Sequence, residues 1–303
     1  MILLVLCGGG TAAARSQTPW GPVPEFRSGI DLVTLHVSVT DRREHYLTDL
    51  NATDFQVFED GEAQQVAFFQ PSGLPLALTL ILDTSGSVMT TLPASKAAAA
   101  DFIETLGSGD IASVIAFDTH VTVLQNFTAD RDALTAAIQR APQGDSTSVY
   151  TAVYIALKEL QRVARNEGNA TPRRRVIVLF SDGDDNSSML SFDDLLNAAI
   201  GSDTAIYAIR LGRAPFPLHG PDSSEFVLRR LSEQTGGRTF FPQSERDLPR
   251  VFKQIRAELA SQYALAYVSN DRQHQGGFRQ LAVLVSRAGA VARTKKGYVA
   301  AGR

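Results

Sequence analysis

LALTLILDTSGSV, from Leu76 to Val88, decides how the rest of the chain is read. Its first seven residues are apolar apart from Thr79, and the run stops at Asp83. Continuous apolar residues over so short a span mark a strand buried on both faces. Asp83, Ser85 and Ser87 then place oxygen on every second position at the strand's carboxyl end. In open α/β sheets that edge is where ligands bind. One carboxylate and two hydroxyls are hard donors of the kind that magnesium, calcium or manganese takes, and Gly86 lets the turn close tightly. The same residues also make an ordinary turn and helix cap without any metal. Oxygen donors at the ends of other strands are what would separate the two readings.

Beyond this stretch the pattern alternates between helices and strands. Helical spacing covers residues 94–106, 131–140, 150–165, 190–200, 225–235 and 248–260. Apolar runs at 111–117, 175–180 and 205–211 read as buried strands, and 238–241 as a short one. Residues 121–127 alternate and follow 111–117 after only a few residues, which predicts a hairpin at the sheet edge. Such alternation predicts a doubly wound, mostly parallel α/β sheet.

Both flanks are β-rich. Residues 30–39 alternate as a half-buried strand, and 54–58 and 65–69 read as two strands joined by the turn Glu59-Asp60-Gly61-Glu62. Pro71-Ser72-Gly73 separates them from the strand ending at Asp83. On the far side, 263–268, 280–285 and 290–293 read as strands, with a turn around Gln275-Gly276-Gly277. Two separate β units would each lie near the lower size limit for independent folding. The economical arrangement is one small β-sandwich built from both chain ends, with the α/β domain inserted. The expected division is a signal-like segment at 1–17, an N-terminal β segment at 18–74 that opens on a Pro-rich linker, the α/β domain at 75–261, and a C-terminal β segment at 262–303.

Composition narrows the function classes. The 303 residues are 44% hydrophobic and 20% charged, ordinary for a globular protein with a sizeable core. A net charge of −3 and a pI near 6.0 give no footprint for nucleic acid, and no basic stripe suits an anionic lipid surface. The five His are scattered, and a single cysteine, Cys7, excludes a disulfide framework and a Cys-ligated zinc site. MILLVLCGGGTAAARSQ at the start resembles a short secretory signal, with Ala12-Ala13-Ala14 as the cleavage region. It lacks a preceding Lys or Arg, and a plain unstructured tail is the alternative. The expectation is an extracytoplasmic protein: periplasmic, secreted or on the cell surface. Leu6 stands where a small residue is expected before a lipidated cysteine, which argues against an anchor at Cys7. No stretch elsewhere is long and apolar enough to span a bilayer.

Three loops bear oxygen donors: Asp83 to Ser87, then Gln143-Gly144-Asp145-Ser146-Thr147-Ser148 before a helix, then Ser181-Asp182-Gly183-Asp184-Asp185 after the strand RVIVLF. Asp-x-Ser-x-Ser after a buried strand, a Thr-bearing loop before a helix and Ser-Asp-Gly after another strand resemble the von Willebrand factor type A domain. The resemblance runs from Pro75 to about Ser261, and the flanks are similar to a bacterial group of secreted proteins related to that domain. It implies a metal-ion-dependent adhesion site, with Asp83, Ser85, Ser87, Thr147 and Asp182 at the matching positions. Gly144-Asp145-Ser146-Thr147 stands where the family commonly has Gly-Gly-Thr, so Ser146 competes with Thr147 for the hydroxyl role; spacing to the following helix favours Thr147.

On that ligand set the two carboxylates balance a divalent cation, and the hydroxyls add coordination without charge. Five protein ligands leave the six-coordinate shell of Mg2+ to be completed by water, with Mn2+ or Ca2+ as the other hard cations. The resemblance implies that a partner's Asp or Glu takes the open position. Asp145, Asp184 and Asp185 are read as solvated rim carboxylates, of which one could hold a metal-bound water. Two other classes stay open. A metal-bound water can act as a nucleophile, yet only Lys96 and His120 lie near these loops, and His120 falls in an expected hairpin turn. A bare α/β scaffold would leave Asp83 and Asp182 repelling each other across the crevice.

Overall fold

Residues 32–71, 74–167, 172–211, 223–270 and 276–300 are described in the computed structural model of the chain. The signal-like segment with Cys7, the Pro-rich linker, Ser72, Gly73 and Gln275 lie outside these residues. In chain order the strands and helices are β1 (Leu32–Thr40), β2 (Phe55–Glu59), β3 (Glu62–Gln64), β4 (Val66–Pro71), β5 (Leu76–Asp83), α1 (Leu92–Glu104), β6 (Ile111–Phe117) and β7 (Val121–Thr128). There follow α2 (Arg131–Arg140), α3 (Val149–Glu167), β8 (Arg174–Ser181), α4 (Phe192–Ile200), β9 (Thr204–Arg210), α5 (Ser224–Thr235) and β10 (Thr239–Phe240). Last come α6 (Leu248–Ser261), β11 (Tyr263–Val268), β12 (Phe278–Val285), β13 (Val291–Arg293) and β14 (Gly297–Val299).

All eight residues of β5 are buried, so the strand needs cover on both faces. Leu76, Leu78, Leu80 and Leu82 point into a core with α1, α2 and α6, while Ala77 and Ile81 point into one with α3, α4 and α5. Thr79 shares the second face and is satisfied by the Ser113 hydroxyl at 3.0 Å. The sheet order is β10-β9-β8-β5-β6-β7, parallel except for β7, which turns back antiparallel to β6 at the edge. From β5 the chain passes through α1 to β6 on one side, and later through α3 to β8 on the other. That reversal opens a crevice at the carboxyl ends of β5 and β8.

The flanks form two four-stranded antiparallel sheets, β13-β1-β11-β4 and β14-β12-β2-β3. Leu35, Val37, Phe55, Val57, Tyr263, Leu265 and Leu281 from both sheets share one core. One expectation is corrected. The turn at Asp60-Gly61 joins β2 to the three-residue β3, not to a strand over 65–69. After Gln64 the chain leaves that sheet, and β4 pairs with β11 in the other. Sequence alternation fixes which residues face inward but not which sheet a strand joins. β14 is an addition that the sequence reading did not contain.

A buried polar cluster joins α6 to both units. Glu258, fully buried, accepts hydrogen bonds from Ser38 Oγ (3.3 Å), Tyr46 Oη (3.0 Å) and Tyr207 Oη (2.6 Å) and pairs with Arg293. Gln262 Nε2 donates to Ser38 Oγ and Tyr207 Oη, and Gln262 Oε1 accepts from Arg174 Nη1.

Candidate functional site at the carboxyl edge of the sheet

The loops after β5, β6 and β8 and the loop before α3 are laced together by backbone bonds. Thr84 N–H donates to Phe117 O (2.9 Å), Gly144 N–H to Thr84 O (2.9 Å) and Gly86 N–H to Asp145 O (3.4 Å). Thr147 O accepts from the N–H groups of Asn186 and Ser187, both at 3.1 Å. Gly144 is required by close approach: a Cβ there would lie 2.1 Å from Asp118 Oδ2 and 2.3 Å from Asp118 Cβ. Gly183 has φ +85°, and α5 presses on it, with Ser224 O and Leu228 Cδ1 2.9 Å from where a Cβ would stand.

Asp83 sits at the floor of the crevice with 0% of its surface exposed. Its Oδ1 accepts from Ser85 N (3.0 Å) and Ser85 Oγ (2.6 Å), and its Oδ2 from Ser181 Oγ (2.7 Å). Ser85 Oγ lies 3.1 Å from Ser87 Oγ. Among the described residues the donors to this carboxylate are therefore hydroxyls and an amide, with no Lys or Arg. Burial pushes the Asp83 carboxyl up to about 6, the Ser85 and Ser181 hydrogen bonds pull it back, and the Asp182 charge adds to the rise. Asp182 is close enough to act on Asp83 electrostatically, and its own Oδ1 accepts from Asp184 N at 3.2 Å. Buried carboxylates without a cation carry this kind of penalty.

The two hydroxyls competing in the loop before α3 behave differently. Ser146 Oγ is bound to Asn186 Oδ1 and Ser187 Oγ, both at 2.7 Å, and so faces the loop after β8. Thr147 is only 3% exposed, its N–H donates to Asn186 Oδ1, and its hydroxyl has no hydrogen-bond partner among the described residues. Asp145 and Asp184 are exposed on the rim. Asp185 is not a solvated carboxylate: Oδ2 accepts from Tyr150 N (2.8 Å) and Ser188 Oγ (2.7 Å), and Oδ1 from Ser188 N, so it caps α3.

Sequence reasoning missed three supports. In the sequence Ser181 stands out only as the residue before Asp182, although its hydroxyl at the end of β8 reaches Asp83 at the end of β5. Asn186 and Ser187 clamp Thr147 with no motif to announce them. Asp118, which packs on Gly144, had a signal: it is the first residue past β6. The groups weighed for catalysis lie elsewhere. The His120 side chain is 88% exposed, and Lys96 Nζ donates to Gln139 O and Ala141 O at the end of α2. Among the described residues no group of three or more His, Cys, Asp or Glu is placed to hold a metal, so any cation here would rest on hydroxyls as well as carboxylates.

Comparison with known proteins agrees with this fold. Residues 78–184 match the von Willebrand factor type A domain family. A UPF0353 protein of Mycobacterium ulcerans is 34% identical over 111 residues, 34% of this chain and 33% of that protein, so the chain spans about a third of the length of that curated relative. A von Willebrand factor type A protein from Catenulispora acidiphila superposes with a TM-score of 0.51 at 15% identity, over 91% of this chain and 75% of that one. Proximal thread matrix protein 1 from the mussel byssus, with zinc occupying its MIDAS motif, gives a TM-score of 0.50 at 13% identity, over 62% of this chain and 48% of that one. Residues 78–184 thus match the von Willebrand factor type A domain family, and the six-stranded sheet with helices on both faces has that type of α/β fold.

Proposed function

We propose that the chain is a metal-dependent protein-recognition module. Domains of this family generally bind protein partners and are not enzymes, and no helix among the described residues is long and apolar enough to cross a membrane. In the proposed centre, Asp83, Ser85, Ser87, Thr147 and Asp182 hold one divalent cation, Mg2+ or alternatively Mn2+ or Ca2+, with Asp145, Ser146 and Asp184 nearby on the rim. A bound cation supplies an exchangeable position that a partner's Asp or Glu carboxylate takes. The protein's own groups set the charge, orient the hydroxyls and shield the floor of the crevice from solvent.

The observation that carries this reading is the state of Asp83. A fully buried carboxylate accepts from the hydroxyls of Ser85 and Ser181, with Ser87 Oγ behind Ser85, and feels the charge of Asp182, with no Lys or Arg among the described residues bound to it. The unpartnered Thr147 hydroxyl is a second donor suited to a hard cation. A cation would relieve both. The same observation disfavours a metal-free scaffold, and the exposure of His120 and the engagement of Lys96 leave neither of the two placed as a hydrolase base. We further propose that the protein is exported, from its signal-like start, and that residues 75–261 act as the recognition domain between the two halves of the sandwich.

Thermal unfolding with MgCl2 or MnCl2 against EDTA tests the reading. A ligand that binds only the folded protein raises its melting temperature. The wild type is expected to melt higher in either salt, and Asp182→Ala to lose the effect while keeping its fold by circular dichroism. Equal melting of the wild type in both salts and in EDTA would end the proposal.

A further inference from the structure

Large apolar side chains left in solvent are common singly, and only their clustering is informative. Among the described residues eight large apolar side chains are exposed: Val123, Phe278, Leu284, Val291 and Val299 lie on strands, whereas Met89 (44%), Met189 (103%) and Phe226 (41%) stand on loops or helix starts at the carboxyl edge of the sheet. Met89 closes the turn that carries Ser85 and Ser87, its N–H donating to Gly86 O at 3.4 Å. Met189 follows Ser188, whose hydroxyl is tied to Asp185 and to Thr151 in the first turn of α3. Phe226 lies in the first turn of α5, capped by Ser223 Oγ, and that turn rests on Gly183 beside Asp182. Three separate connections, after β5, β8 and β9, thus bring an exposed apolar group to one edge.

We propose that Met89, Met189 and Phe226 form, around the metal centre, an apolar collar for a protein loop bearing one Asp or Glu flanked by apolar side chains. This rests on the metal-dependent reading above. Charge selects the occupant. Asp145 and Asp184 are exposed on the same rim, so an acidic run in a partner meets repulsion, whereas one carboxylate aimed at the cation with apolar neighbours meets complementary groups on each side. Two of the three collar residues are methionines, whose unbranched, polarisable side chains adapt to differing apolar surfaces. The collar therefore selects for apolar flanks as a class.

The probes are immobilised linear peptides with a central Asp flanked by Leu and Phe, by Ser and Gly, or by further Asp and Glu, together with an Asn-centred copy of the first. In MgCl2 the Leu/Phe-flanked Asp peptide is expected to bind the full chain about tenfold more tightly than the Ser/Gly-flanked one, a difference of about 1.4 kcal/mol, with the acidic and Asn peptides weaker still. Met89→Ser/Met189→Ser/Phe226→Ser is expected to lose the flank preference while keeping the melting shift in MgCl2. Magnesium-dependent binding indifferent to flanks, an unchanged preference in the triple variant, or no peptide binding beside an intact melting shift would each overturn the collar and leave the metal centre standing. Absence of the melting shift in the wild type would instead remove the metal centre, and the collar with it.

Discussion

Arg293 Nη2 of β13 lies 2.5 Å from Glu258 Oε2 of α6, and the Glu258 carboxylate is sealed from solvent. Tyr207 Oη of β9 and Ser38 Oγ of β1 share its other oxygen, so one carboxylate ties α6 to its own sheet and to the flanking sheet β13-β1-β11-β4. Removing one partner of a buried pair leaves an uncompensated charge and typically costs about 3–5 kcal/mol. Arg293→Ala, which leaves the sealed Glu258 carboxylate without its cation, is expected to lose stability on that scale in urea unfolding, and Glu258→Ala less, because the guanidinium it leaves behind is partly exposed. In a double-mutant cycle the two losses are expected to be strongly non-additive. Simple additivity would show that the pair is not what holds the joint.

Asp83 gives a prediction of opposite sign. An unfolded carboxyl ionises near 3.8, whereas burial first, with Asp182 adding to it, holds the folded one up to about 6. Between those values the folded state binds more protons, so stability falls as pH rises and the loss is complete above about pH 6. The linkage is on the order of 2–3 kcal/mol. In EDTA at pH 7.5, Asp83→Asn is therefore expected to be more stable than the wild type, and in MgCl2 to show no further gain. A variant less stable than the wild type under chelation would mean that ionised Asp83 is already well compensated by the protein alone.

His36 in β1 behaves in the reverse manner. Burial lowers its pKa from 6.5 to about 4, helped by Arg174, Lys295 and Arg175 and opposed by Asp203, and its Nδ1 has no hydrogen-bond partner among the described residues. The unfolded chain takes up a proton on this ring below pH 6.5 while the folded chain refuses it until about 4. The stability that the neutral ring contributes is present above pH 6.5 and is lost as pH falls through the folded value, by at most about 3 kcal/mol. Relative to His36→Gln, the wild type is expected to weaken progressively between about pH 6.5 and 4 in denaturant titrations. Parallel curves for the two proteins would rule this group out.

Two glycines of the crevice are expected to differ. A methyl on Gly144 would collide with Asp118, backbone-proximal atoms included, whereas one on Gly86 would find its nearest neighbour at 3.5 Å, an ordinary contact. Gly144→Ala should destabilise by about 1–3 kcal/mol, as overpacking does, and should weaken the magnesium response because the same loop carries Thr147. Gly86→Ala should stay within about 0.5 kcal/mol of the wild type. Equal behaviour of the two would contradict the packing of the loop before α3 on the end of β6.

Much of the architecture was legible because the strongest signals are local. The apolar run IASVIAF gave β6 to the residue, the helical spacing of 131–140 gave α2, and YALAYV gave β11. What failed was non-local. Nothing in Gln64-Gln65-Val66 says that the chain changes sheet there, because the alternation is the same on either side of a sandwich. β14, at three residues, is shorter than one period of any pattern test. At the crevice, Ser146 and Thr147 are chemically interchangeable in sequence. Only the position of Asn186, thirty-nine residues later, occupies one hydroxyl and leaves the other free.

The pairing of Phe55 with Val285 and of Val37 with Tyr263 has a consequence for biosynthesis. Roughly 230 positions separate Phe55 from its partner, which at common translation speeds is about 10–50 s of waiting. Through that interval β1 and β2 emerge with bare edges while the enclosed domain can already collapse behind them. A nascent chain halted before Tyr263 would keep the apolar run of β4, Val66-Ala67-Phe68-Phe69, without its neighbour. Vectorial synthesis therefore leaves the N-terminal strands, and not the α/β unit that follows them, waiting longest for their partners.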